Sequence, residues 1–189
     1  MNLNIARSTD PVTPVTQRGH GPIANRSGRF LGSDLGHYLP FAAVAALVLA
    51  LDQWSKFFVT GYVEASGQGQ IAILGGKVLI DPVDNTGAAF GVLPNQTILL
   101  TAIALTIVTA LVFSYRRLAR GPVSVRVGLG MILGGALGNL LDRVRFGHVV
   151  DFIDLRWWPV FNVADSCIVM GVLTLIVTLM FQAEHRAEK

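Results

Sequence analysis

The sequence predicts an all-α integral membrane protein with four transmembrane helices and a small outer β element on the first extracytoplasmic segment. Three observations carry that prediction. Charged residues make up 14% of the chain, against about 25% in ordinary globular domains. Mean hydropathy is +0.54. The apolar residues are gathered into long blocks rather than spread at the spacing of a soluble core. The pI near 9.4 does not indicate nucleic acid as a partner, because the basic residues mark loops and tails and form no stripe on a polar domain. The single cysteine, Cys167, excludes an internal disulfide.

Residues 1–37 are rich in Arg, Gly, Pro, Ser and Thr and hold no apolar run, so they read as a disordered tail. No cleavable signal peptide is visible there, and the first apolar block is expected to serve as an uncleaved anchor. Spanning helices follow at about Leu39–Val63, Gln96–Tyr115, Val123–Leu141 and Val163–Phe181. Residues 38–183 thus form one membrane domain, followed by a C-terminal tail, 184–189. The third block is the least apolar, with Arg126 in its first turn. Its glycines Gly130, Gly134, Gly135 and Gly138 include small residues four apart, which lets helix backbones approach closely in lipid.

Orientation follows from the basic residues. Arg116, Arg117, Arg120 and Arg126 flank the second link without an acid, and the N-terminal tail carries Arg7, Arg18, Arg26 and Arg29. Lys/Arg excess marks the cytoplasmic side. Both termini are therefore expected inside, with residues 64–95 and 142–162 outside and Trp157 and Trp158 at the outer interface. In the first outer segment, Ile71–Leu74 and Lys77–Ile80 read as two short strands joined by a two-residue turn at Gly75-Gly76.

The polar residues inside the blocks gather at one depth. Asp52 lies 13 residues after Leu39, about 20 Å up a core about 30 Å thick. Asn139 and Asp142 sit at the outer end of the third block, and Asp165 lies in the first turn of the fourth. An aspartate at a helix centre costs about 2.5–3.5 kcal/mol on insertion, so such residues face a protein interior or an aqueous cavity.

Structural readings exist for most of them. Asp52 and Lys56, four apart, suit an ion pair. Asn162 and Asp165 resemble a capping box, with Asn as N-cap and an acid at N3. Asp142 at a helix C-terminus opposes the dipole, which neighbouring Arg143 would offset in an Asn139–Asp142–Arg143 cluster. Asp154 faces solvent or pairs with Arg156, His148 is a lone loop histidine that suggests no metal site, and Cys167 reads as packing. Asp151, in "VVDFI", is the residue such readings explain least. If its loop folds back, it approaches Asp165.

Five blocks then resemble one family: "DQWSK" (52–56), "NTGAAFG" (85–91), "GGALGNLLDR" (134–143), "VVDF" (149–152) and "FNVAD" (161–165). In this order on a four-helix layout, they are similar to the lipoprotein signal peptidases, the signal peptidase II family. That resemblance implies an aspartic endopeptidase of the bacterial inner membrane. It would cut a prolipoprotein just before a diacylglyceryl-modified cysteine, near the outer face, with no cofactor and no metal. The catalytic pair carries over to Asp151 and Asp165. Asp52, Lys56, Asn85, Asn139, Arg143 and Asn162 carry over as supporting or substrate-binding residues, and Asn85, beside Gly87 and Gly91, would orient substrate backbone. Partners would be diacylated prolipoproteins and membrane lipids, with the chain a monomer. Two other classes remain to be tested. A proton-coupled exporter would depend on Asp52, and a non-enzymatic scaffold would show only changes in abundance when its aspartates are altered.

Overall fold

A computed structural model describes residues 27–87, 96–118 and 121–187. Residues 1–26 of the expected tail, residues 88–91 of the second motif block with Gly91, Arg120, and the side chains of Arg116 and Arg117 lie outside the described residues.

Four helices are each long and apolar enough to cross a membrane: α1 (Ser27–Ser66), α2 (Thr97–Leu118), α3 (Val123–Phe146) and α4 (Val163–Ala187). All four run past the apolar blocks that announce them. Helix α1 begins inside the segment whose composition suggests a tail, taking in residues 27–37. Helix α3 continues to Phe146 and stops at Gly147, whose φ of 80° is left-handed and whose N–H returns to the Arg143 carbonyl at 3.0 Å. Asp142 therefore stands inside the last turns of α3 and not at its end.

Helix α3 is the hub, packed on α1, α2 and α4. Lipid tails are as apolar as leucine, so association rests on close packing rather than on escape from water. The glycines of α3 supply that closeness. A Cβ on Gly134 would meet the Ala45 carbonyl oxygen of α1 at 2.5 Å, and one on Gly135 would meet the Ala164 carbonyl oxygen of α4 at 2.5 Å. Near the other end, a Cβ on Gly171 of α4 would lie 2.6 Å from the Gly128 carbonyl oxygen. Away from the polar site, Phe41 stacks on Tyr115 at 4.0 Å between ring centres and packs with Leu129 and Leu133.

A three-stranded antiparallel sheet sits at the Ser66 end of α1, in the order β1 (Ile71–Ile73), β2 (Val78–Asn85), β3 (Val149–Asp154). The expected hairpin is present, but not its two-residue turn. Ile73 pairs with Val78, leaving residues 74–77 as the connection, because Leu74 (φ 51°) joins Gly75 and Gly76 in positive φ. The third strand comes from the far side of α3, which the local reading of the first outer segment did not contain.

Strand β2 contains one surplus residue. Ile80 pairs with Ile153 but Val83 pairs with Asp151, so three steps along β2 match two along β3. Pro82, which has no N–H to give a central strand, lies within that bulge. Opposed residues share a face of a sheet and successive residues alternate. The bulge shifts the alternation by one and puts Val83 and Asn85 on the same face as Val149 and Asp151. Asp84, paired with Val150, points to the other face.

Candidate active site

Asp151 and Asp165 are brought together by a fold-back of residues 155–161. The Phe161 carbonyl accepts from Ile153 N (2.8 Å) and Phe152 N (3.1 Å), and Phe161 N donates to the Ile153 carbonyl (3.2 Å). This lays the chain along β3 and delivers Asn162 beside Asp151. Helix α4 starts at the next residue, with a reciprocal capping box. Asp165 N donates to Asn162 Oδ1 (2.9 Å), and Asn162 N donates to Asp165 Oδ2 (3.3 Å). The cap reading of Asp165 is thus correct, and the same cap fixes the acid beside Asp151.

Three asparagines set the two carboxylates. Asp151 accepts from Asn85 Nδ2 on Oδ2 and from Asn162 Nδ2 on Oδ1, both at 2.7 Å. Asp165 Oδ1 accepts from Asn139 Nδ2 at 2.7 Å. Each amide is held in one sense by a further bond. Gly87 N donates to Asn85 Oδ1 (2.9 Å), so the Asn85 amino group is the end that faces Asp151. Asp165 N does the same for Asn162. Asn139 Oδ1 accepts from Asn162 Nδ2 (3.0 Å) and from Lys56 Nζ (3.2 Å).

Beneath the asparagines lies a buried charged layer. Lys56 Nζ bonds Asp52 Oδ2 at 2.8 Å and Asp142 Oδ2 at 2.6 Å, with Asp52 0% and Asp142 1% exposed. The expected Asp52–Lys56 pair is therefore present, and it extends to α3. Arg143 is not the ion-pair partner of Asp142. A residue next in sequence on a helix points away from its neighbour, whereas the close approach of α1 carries Lys56 to it. Among the described residues no carboxylate lies within ion-pair distance of Arg143. Its Nη1 makes a 3.4 Å contact with the Asn139 carbonyl, and Asp165, Asp151 and Asp142 act on its charge from beyond ion-pair distance.

Asp52 and Asp142 also tie the layer to the backbone above it. Asp52 Oδ1 accepts from Ala164 N (3.0 Å), one residue before Asp165, and a Cβ on Gly138 would collide with the Asp52 carboxylate. Asp142 Oδ2 accepts from Val150 N (3.3 Å), one residue before Asp151. Gln53, which the sequence reading passed over, donates from Nε2 to Asp142 Oδ1 (2.8 Å) and Asp52 Oδ2 (3.2 Å). The available signal was an amide in an apolar helix, a group that needs partners there.

The other candidates sit apart from this centre. Asp154 caps its own turn, accepting from Arg156 N at 2.6 Å, so it meets the Arg156 backbone rather than its guanidinium. His148 Nε2 lies 3.0 Å from Asp84 Oδ1. Cys167 is half-buried, one turn into α4.

Burial is the largest influence on Asp151 and pushes its carboxyl up to about 6. The Asn85 amide opposes this by favouring the ionised form, nearby Asp165 adds to it, and Asn162 again opposes it. A carboxyl placed so can hold a proton near neutral pH and also release it, as acid–base chemistry requires.

Comparison with known proteins agrees with this architecture. Residues 44–181 match the family model described as signal peptidase (SPase) II, a range that contains all five sequence blocks. The lipoprotein signal peptidase of Moorella thermoacetica is 42% identical over 151 residues, covering 80% of this chain and 99% of that one. That of Mycobacterium leprae is 41% identical over 145 residues, covering 74% and 70%. A solved bacterial membrane enzyme superposes with a TM-score of 0.68 at 30% identity, over 85% of this chain and 94% of that one. A second superposes at 0.62 with 31% identity, over 79% and 94%. With four apolar helices of spanning length and this match along most of its length, the chain belongs to the signal peptidase II family of lipoprotein-processing membrane peptidases.

Proposed function

We propose that this peptidase is an aspartic endopeptidase that removes the signal peptide from diacylglyceryl-modified prolipoproteins, cutting just before the lipidated cysteine. Asp151 and Asp165 are its catalytic pair. The observation that supports this best is the reach of Asn162, whose amide nitrogen holds the Asp151 carboxylate while its oxygen and backbone hold Asp165. One residue sets the spacing of two acids.

Neighbouring carboxyls resist double ionisation and share a proton. The ionised member takes a proton from water as that water attacks the scissile carbonyl. The protonated member donates to the carbonyl oxygen, and collapse of the tetrahedral intermediate returns a proton to the departing amine. Asn139, Asn162 and Asn85 orient the pair, with the last fixed by Gly87. Lys56 with Asp52 sets Asn139 and the start of α4. Arg143 faces the pair at longer range and supplies positive potential. The chain works as a monomer without cofactor. Its termini lie on the cytoplasmic side and its sheet-bearing end on the outer side of the bacterial inner membrane, where the substrate's lipid is held.

The exporter reading needs an acid open to water. Asp52 is fully buried against Lys56, and a paired acid closed to water is poorly placed to carry protons. The direct test is purified protein with a diacylated prolipoprotein. Product masses should correspond to one cut immediately before the lipidated cysteine. A cut elsewhere, or no cut by folded protein, would refute the proposal.

A pH experiment probes the same centre. The pair's proton is held up to about pH 6 at Asp151 and lost above it, so this titration should define the alkaline limb of kcat/KM. Asn85→Ala removes a donor that favours the ionised form, which raises the carboxyl further. A hydrogen bond to a charged group contributes about 1.5–3 kcal/mol, so the limb should move up by about one to two pH units. A limb that stays put or moves down would show that Asn85 does not set this titration.

A further inference from the structure

On the opposite face of the sheet from Asp151 lies a cavity of about 440 Å³, between α1, the end of α3 and strands β2 and β3. Neither Asp151 nor Asp165 lines it. Asp84 and Val150, opposed across β2 and β3, belong to its wall, so it opens on the side away from the two catalytic acids. We propose that this cavity binds the head group of a membrane phospholipid carrying both a phosphate and a primary ammonium, an ethanolamine phospholipid.

Position and charge both lead there. From Tyr38 to Ser66, α1 is 29 residues long, where a hydrocarbon core needs about 20. Its last turns, with Glu64, therefore extend into the head-group layer, as does the end of α3 at Arg145 and Phe146. The lower wall is apolar, and Phe57 (83% exposed) and Phe146 (53%) open it to acyl chains rather than to water. Above them the charges separate. Arg145 has its guanidinium 5.3 Å over the Phe146 ring, and among the described residues it has no carboxylate within ion-pair distance. It is free to hold a phosphate.

Glu64, likewise outside every such pair, and Asp84, 72% exposed at its contact with His148, stand at the outer rim. There the space continues into a hollow of similar size bounded by Gly67 and Pro82. A cation-binding rim of two acids beside an anion-binding arginine suits a zwitterion. It suits a glycerol head group less well, because that would leave Glu64 unmatched and Asp84 with His148 alone. The inner end of the cavity is formed by Gln53, Lys56 and Asp142, the layer that positions Val150 and Asn139. An occupied cavity would therefore brace the catalytic centre from behind.

The test is native mass spectrometry of the full chain released from detergent micelles doped with equal amounts of phosphatidylethanolamine and phosphatidylglycerol. Wild type should retain one ethanolamine lipid in preference to the glycerol lipid. Arg145→Gln should weaken retention of both by at least about tenfold, the loss expected for one charged hydrogen bond. Glu64→Gln should remove the preference while leaving glycerol-lipid retention in place. Both side chains are exposed, so these variants should fold, and cleavage activity in detergent reports separately on the peptidase reading. Equal retention of the two lipids by wild type, or undiminished retention by Arg145→Gln, would overturn the proposal. So would displacement of the lipid by an equal concentration of soluble glycerophosphoethanolamine, which would make a free metabolite the ligand.

Discussion

Asp165→Asn is expected to lower prolipoprotein cleavage by at least about 10³-fold, the scale of a lost acid–base group, while the chain still accumulates in the membrane. The substitution keeps the shape of the side chain. Its oxygen can still accept from Asn139, which holds Oδ1 at 2.7 Å, and only the weaker 3.3 Å bond from Asn162 N would face an amino group. What disappears is the ability to take up or release a proton. Asp151→Asn should be as inactive but less stable. Both oxygens of Asp151 accept from amino groups, of Asn85 and Asn162, and an amide at 151 has one acceptor for two donors. An unmatched buried donor costs about 1–3 kcal/mol, so its thermal unfolding midpoint should fall below that of Asp165→Asn. Cleavage within tenfold of wild type by either variant, measured on folded protein, would remove that residue from the pair.

Lys56→Met should have the largest effect on folding. It leaves Asp52 and Asp142, 0% and 1% exposed, without their cation. Removing one partner of a buried ion pair typically costs about 3–5 kcal/mol, a large share of the stability of an ordinary domain. Little folded protein should accumulate. Adding Asp142→Asn to Lys56→Met should recover part of the loss, because the uncompensated charge is reduced, although an amide at 142 can accept from only one of Gln53 and Val150. Asp142→Asn alone should cost less than Lys56→Met, since Lys56 retains Asp52. An unchanged unfolding midpoint for Lys56→Met in detergent would mean that this layer does not hold α1 to α3.

The four helices were legible because hydropathy reports directly on the bilayer. Their ends were not, for the same reason. Hydropathy follows the lipid boundary, whereas "LLDRVRF" remains helical beyond it until Gly147 supplies a left-handed stop. That difference misplaced Asp142 at a helix terminus and assigned its charge to Arg143. The true partner, Lys56, is 86 positions earlier in a chain whose α1 and α3 touch backbone to backbone at Gly134, a proximity that spacing along one helix cannot report. The acids and asparagines of the site were visible as costly residues at one depth. Their division of labour was not, because it depends on Phe161 pairing with Ile153. Asn85 was visible through its motif block alone. The local strand reading stopped at Ile80, and only Pro82 in "IDPVDN" signalled that the strand continued in altered register.

That altered register ties the identity of the residue beside Asp151 to one extra position in the strand. Straightened at its present length, with Ile80 to Val83 following β3 one for one, the strand would exchange the sides taken by Asn85 and Asp84. An amide donor would leave Asp151 and a third carboxylate would arrive beside it. Loss of one residue between Ile80 and Val83 would instead remove the bulge and leave Asn85 opposite Val149, so among relatives of this enzyme a strand one residue shorter at that point should run without a bulge.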